Sequence, residues 1–184
     1  MNKYNCSSFE ELRDKLRSKD RLPKMSAVIS NPNNQLRTTI LHTLIQHGLC
    51  DSGGRVYNTI GAPIDDKLAF TSRYVIGMAF ENLVKPSYIT EKIYEAFLAG
   101  CIPFYYGDEN VILEFNPRSF LRLNPTNHET IMSSLQDAVS LLSDKDRIDK
   151  MSIEDPISGY RSENLIRNGK SILKEFIMNV VESK

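Results

Sequence analysis

Residues 74–107, YVIGMAFENLVKPSYITEKIYEAFLAGCIPFYYG, leave the chain few folds to choose from. The run 74–80 is apolar and of strand length, with Gly77 its one turn-forming residue. A polar loop over 81–87 follows, broken by Pro86. Thr90 is a candidate N-cap, Ile89, Ile93, Ala96 and Phe97 repeat at helical spacing, and Gly100 falls where a C′ glycine belongs. A second apolar run over 102–106 ends at Gly107. Strand, loop, short helix and strand in this order predict a βαβ unit with parallel strands. Ligands of such sheets sit at the carboxyl ends of the strands. That position holds Glu81 and Asn82, with Thr90, Glu91 and Lys92 at the mouth of the following helix.

The chemistry of these residues points to an anion. Free N–H groups and the positive dipole end of a helix attract negative charge. Lys92, in the first turn, runs against the usual preference for acidic residues there. A second cation beside a positive helix end makes sense if a pyrophosphate occupies the site. Glu91 can accept hydrogen bonds from two vicinal hydroxyls, such as those of a ribose. On these residues alone, a solvated first turn is the commoner alternative.

A second unit of the same kind precedes it. MSAVIS, 25–30, predicts the first buried strand, and Asn31-Pro32-Asn33-Asn34 a polar turn. Leu36, Ile40, Leu41, Leu44 and Ile45 then form a helical stripe closed by Gly48. Arg37 lies in the first turn of that helix, where it can reach a phosphate bidentately or form an ordinary surface ion pair. Gly53-Gly54 predicts a tight turn into a strand over 55–60, and 65–70 a short helix, with Lys67 and Arg73 solvated. Residues 119–123 are a candidate last strand. Asn127 or Thr126 is expected to cap a helix carrying Ile131, Leu135, Val139 and Leu142. A helix over 7–18, begun by a Ser8–Glu11 capping box, belongs to a lead-in over 1–24; a helix with an apolar stripe is expected over 162–184. The sum is one α/β domain, 1–184, three-layered and Rossmann-like with a parallel sheet.

The pattern A-F-E-N-x5-Y-I-T-E-K-I-x-E-A-F-x-A-G-C-I-P-x-Y-Y-G resembles the donor-binding signature of the α-1,3-fucosyltransferase family, glycosyltransferase family 10, over about 35 continuous residues. The resemblance implies the C-terminal half of a GT-B glycosyltransferase, which binds GDP-fucose. It implies Asn82, Tyr88, Glu91 and Lys92 as donor-site residues, with Lys92 on the diphosphate and Glu91 on the ribose. Ser30, Asn31 and Arg37 match a Ser-Asn pair followed by an arginine in the family, which makes Arg37 a second phosphate contact. The expected reaction transfers fucose to a hydroxyl of a glycan acceptor with inversion. The acceptor domain, and the general base it supplies, are expected outside this chain, on an N-terminal domain or a separate chain. A stand-alone nucleotide-sugar binding module without turnover, or a transferase using another nucleotide sugar, are the alternatives.

Composition narrows the remaining classes. Twenty-three basic residues balance twenty-three acidic ones, which excludes nucleic acid as the main partner. Cys6, Cys50 and Cys101 predict neither a disulfide framework nor a zinc site, and the three histidines form no ligand pattern. Asp144-Lys145-Asp146 follows a helix rather than an apolar strand and is expected to be a solvated helix end, so no metal or other cofactor is predicted. Residues 1–21 mix both charge signs and no run reaches membrane length. The expectation is a cytoplasmic chain as it stands, whereas a complete Golgi enzyme of the family is expected to carry a membrane anchor.

Overall fold

The computed structural model describes residues 4–6, 9–16 and 20–157. Its elements are α1 (Phe9–Leu16), β1 (Leu22–Ala27), α2 (Gln35–Gln46), β2 (Cys50–Ser52), α3 (Lys67–Thr71) and β3 (Tyr74–Phe80), then α4 (Glu91–Leu98), β4 (Ile102–Tyr106), α5 (Val111–Glu114), β5 (Leu121–Arg122), α6 (His128–Leu141) and α7 (Lys145–Ile153). The five strands form one parallel sheet in the order β2-β1-β3-β4-β5. The expected capping residue Ser8 and the expected helix over 162–184 lie outside the described residues.

Helices on both faces explain why β3 and β4 read as unbroken apolar runs: all of their residues but half-buried Met78 are buried. One face packs Ile76, Phe80, Phe104 and Leu121 against Ile40, Leu41 and Leu44 of α2 and Ala138 and Leu141 of α6. The opposite face packs Ala79 and Tyr105 against Ile93, Ala96 and Phe97 of α4 and Val111 of α5. α1, in the predicted lead-in, buries Leu12 against Leu68 of α3 and Leu98 of α4. Gly100 ends α4 at φ +73°, the left-handed C′ position anticipated for it.

Three local expectations are corrected. β1 begins at Leu22, not Met25, and ends at Ala27. Pro23 falls inside it, and the ladder to β3 shifts register between Leu22 and Met25, where the missing proline N–H is best accommodated by a bulge. The second strand is Cys50–Ser52, before the glycine pair, and 55–60 is loop. The chain passes so close over the end of β1 that a Cβ on Gly54 would lie 2.2 Å from the Ile29 carbonyl oxygen. The Val56 N–H donates to Ile29 O at 2.9 Å, and the Thr59 N–H returns to Ser52 O at 2.9 Å, folding the segment back on itself. The Asp-x-Asp triplet starts a helix rather than ending one: Asp144 N-caps α7 by accepting from the Arg147 N–H at 2.9 Å.

The chain leaves β1 toward β2 on one side, then crosses back to place β3 on the other. The carboxyl ends of β1 and β3 therefore flank a switch point, the crevice where open α/β sheets bind ligands.

Candidate functional site

A cavity of about 330 Å³ opens at this switch point, lined from β1 and its exit loop by Ser26, Val28 and Asn31, from α2 by Arg37, from β3 by Gly77, Met78 and Phe80, and from α4 by Glu91, Lys92, Glu95 and Ala96.

Arg37 reaches it through the start of α2. The Asn34 side chain caps that helix by accepting from the Arg37 N–H at 3.0 Å, which aims the arginine side chain across the sheet end. Its Nη1 donates to Phe80 O at 3.2 Å and to Asn82 Oδ1, and its Nη2 donates to Asn31 O. Asn34 Nδ2 adds a bond to Asn82 O at 3.3 Å. The guanidinium thus ties the exits of β1 and β3 together while only 2% of the residue is exposed. Burial pushes its pKa below the ordinary value, against the upward pull of Glu81 and Tyr106, yet a guanidinium keeps its charge at neutral pH. Nε is buried and has no hydrogen-bond partner among the described residues.

The second half of the site grows from Glu81, the residue after β3. Its carboxylate is fully buried. It accepts from the Thr90 N–H at 2.8 Å, from Thr90 Oγ1 at 2.7 and 2.9 Å, and from Lys92 Nζ at 3.0 Å. Lys92 also donates to Thr90 Oγ1 at 2.8 Å and lies 3.5 Å from Glu91 Oε1. Thr90 occupies the N-cap position of α4 as expected, but its hydroxyl serves Glu81 and makes no cap bond to the helix. The N-cap residue leaves the first turn of α4 without a cap bond, and the Lys92 ammonium lies beside it. That combination suits a phosphate. Burial would raise the pKa of Glu91, but its own backbone N–H and the Lys92 and Lys67 ammoniums outweigh it and hold the pKa below the usual carboxyl value. Glu91 is therefore an anion at neutral pH, able to accept from hydroxyls.

Of the residues singled out from sequence, Arg37, Asn82, Glu91 and Lys92 line this one cavity. Tyr88 does not line it; it is half-buried in the loop between β3 and α4, its N–H donating to Lys85 O at 3.1 Å. Sequence reasoning placed Glu81 near the site without giving it the central role it has, although a charge fused to a buried strand signals a paired carboxylate. It missed the Asn31 and Asn34 bonds, which depend on how two loops meet. Lys67, expected in solvent, is ion-paired with Glu95, because α3 and α4 lie side by side.

Among the described residues no group of three or more His, Cys, Asp or Glu could hold a metal ion, and no helix is long and apolar enough to cross a membrane.

A doubly flanked parallel sheet with two cations and a helix N-terminus at its switch point is an arrangement that suits a phosphate ester. Residues 16–147 match the model of glycosyltransferase family 10 (fucosyltransferase), C-terminal domain, and the chain belongs to that family. It is 37% identical over 99 residues to the alpha-(1,3)-fucosyltransferase FucT of Helicobacter pylori, covering 54% of this chain and 21% of that protein. Identity to the alpha-(1,3)-fucosyltransferase 4 of Mus musculus is 38% over 94 residues, 50% of this chain and 22% of the relative. A crystal structure of an alpha1,3-fucosyltransferase with GDP-fucose superposes with a TM-score of 0.69 at 28% identity, covering 83% of this chain and 47% of that one. The α/β fold is that of the C-terminal part of a GT-B fucosyltransferase, as the sequence resemblance implied. The chain spans about a fifth of the length of these curated relatives and about half of the solved one.

Proposed function

We propose that residues 1–184 form one donor-binding domain of a fucosyltransferase that moves fucose from GDP-fucose to a hydroxyl of a glycan acceptor, in the α-1,3 manner. The observation that carries this reading is the convergence of Arg37, Lys92 and the α4 N-terminus on one cavity with Glu91 beside them. A diphosphate accounts for the cations and a ribose for the carboxylate. The solved relative bound to GDP-fucose supports the identity of the donor. In this reading Asn82 holds Arg37 in place, and Tyr88, outside the cavity lining, keeps a donor role only by the family resemblance.

In the reaction the acceptor oxygen bonds to C1 of fucose as the bond from C1 to the diphosphate oxygen breaks on the opposite face, which inverts the anomeric centre. Negative charge grows on departing GDP. Lys92, Arg37 and the helix dipole face it there. The hydroxyl proton needs a base, an effect worth about 10²–10⁴ in rate. Glu81 is buried and bonded to Thr90 and Lys92, and Glu95 is paired with Lys67. The base is therefore expected on an acceptor-binding half.

Calorimetric titration with GDP-fucose, GDP and UDP-glucose tests the proposal. The GDP ligands are expected to bind, and Lys92→Ala to weaken them at least tenfold while remaining folded. Equal binding of all three ligands by parent and variant would contradict it.

A further inference from the structure

The loop between β2 and α3 is built more firmly than a connection needs. Asn58 ties it together. Its Nδ2 donates to Gly54 O at 3.0 Å and to Ala62 O at 3.3 Å, while its Oδ1 accepts from the N–H groups of Ile60 at 3.0 Å and Gly61 at 2.8 Å. Ser52 adds two bonds across the base, from its N–H to Thr59 Oγ1 at 2.9 Å and from its Oγ to Val56 O at 2.9 Å. Compact, self-bonded surface loops of this kind frequently carry function.

Tyr57 rides on that frame in a strained conformation. Its φ is +50°, in the left-handed region that a bulky side chain rarely adopts. Four residues on, the loop uses Gly61 where φ reaches +80°, yet at 57 it keeps an aromatic. Strain of this sort persists only where the surroundings enforce it, and it clusters at functional positions. The Tyr57 ring lies against the His42 ring of α2, with centroids 4.7 Å apart and planes tilted by 32°, and the residue is still 47% exposed. His42 thus fixes one face of the ring and leaves the other to solvent. Val56 packs against the core, so Arg55 and Tyr57 flank it on the outside. Arg55 is exposed and unpaired among the described residues.

A fixed aromatic face with an unpaired guanidinium two residues away suits a sugar. A pyranose ring carries C–H bonds on one face, whose partial positive charge meets the negative face of an aromatic ring. Its rim of hydroxyls accepts hydrogen bonds from a guanidinium. A ring already held by its neighbour also loses little freedom when a ligand stacks on it. The loop adjoins the donor cavity: the Val56 N–H donates to Ile29 O at 2.9 Å, and Ile29 lines that cavity. Resting on the fucosyltransferase reading above, we propose that Tyr57, backed by His42 and flanked by Arg55, is a stacking subsite for a pyranose residue of the glycan acceptor.

The test is saturation-transfer difference NMR on the 184-residue chain with methyl β-galactoside, whose C3–H, C4–H and C5–H bonds share one face. Parent, Tyr57→Phe, Tyr57→Leu and Arg55→Ala are compared, each checked for folding by thermal unfolding and for GDP affinity by calorimetry. Irradiation of the aromatic protons should reach those three sugar protons in the parent and in Tyr57→Phe, with and without saturating GDP. The signal should be lost in Tyr57→Leu, which keeps apolar contact with His42 but has no π-face, and should weaken in Arg55→Ala. GDP affinity should stay within about twofold of the parent's in all three variants, since none of them touches the phosphate site. No transfer in the folded parent, or transfer that survives in Tyr57→Leu, would overturn the proposal and leave Tyr57 as packing for α2. Loss of the parent's signal on adding GDP would put Tyr57 in the nucleotide site and overturn it too. In each of these cases GDP binding by the parent leaves the donor-site reading standing. A folded parent that binds no GDP would overturn the donor-site reading, and the acceptor role of Tyr57 with it.

Discussion

Arg37 carries more structure than its place in a first helical turn suggests. A guanidinium buried to this degree is tolerated because oxygens of Asn31, Phe80 and Asn82 surround it. Arg37→Met would keep the volume and strip those acceptors of their donor. Loss of about 1–3 kcal/mol in denaturant unfolding is expected; unchanged stability would mean that water replaces the guanidinium at no cost. Glu91 makes a pH prediction. Its folded pKa lies below its ordinary value of 4.5, so between the two the unfolded chain binds more protons and stability rises with pH. The contribution is present above pH 4.5 and is lost as acid passes through the folded pKa. Glu91→Gln should therefore lose less stability than the parent on acidification below pH 4.5, measured by unfolding at a series of pH values. Cys101 is buried with its pKa pushed up to about 12 by loss of water, so a thiol reagent at pH 8 should leave it unmodified until the protein unfolds.

At the scale of elements, the β3–α4 connection is organised by Glu81. Thr90 gives it both a backbone and a hydroxyl donor, and Lys92 leans on the same oxygens. Thr90→Val keeps the β-branched shape and the N–H but removes the hydroxyl shared by Glu81 and Lys92. It is expected to cost about 1–3 kcal/mol of stability and to weaken nucleotide binding with it; a variant as stable as the parent would show that Lys92 alone satisfies Glu81. The β3–α4–β4 unit was legible in sequence because its signals agree: both strands are buried on two faces, and a cap and a C′ glycine bracket the helix. β2 was not. Its sequence, CDS, has little strand character, while Val56 and Tyr57 imitate a strand in a loop that Gly54 alone allows to cross the Ile29 backbone. Long-range contact overrides local propensity there. Gly54→Ala, which sets a methyl against that backbone, should destabilise by about 1–3 kcal/mol or more.

For the whole molecule, the order β2-β1-β3-β4-β5 puts the loops after β1 and β3 side by side. Residues 45 positions apart, Arg37 and Asn82, thereby become bonded neighbours. Their individual roles could be anticipated from residue type and resemblance. The clasp they make with Phe80, Asn31 and Asn34 could not, because it exists only once the sheet has closed. The nucleotide site is tested most directly by mapping amide chemical shifts of the chain as GDP is added. Perturbations should concentrate on residues 30–37, 80–82 and 90–96, around the switch point. Shifts confined elsewhere, such as the groove between β5 and α7 lined by Arg118, Arg122 and Arg147, would contradict the assignment of this cavity as the nucleotide site.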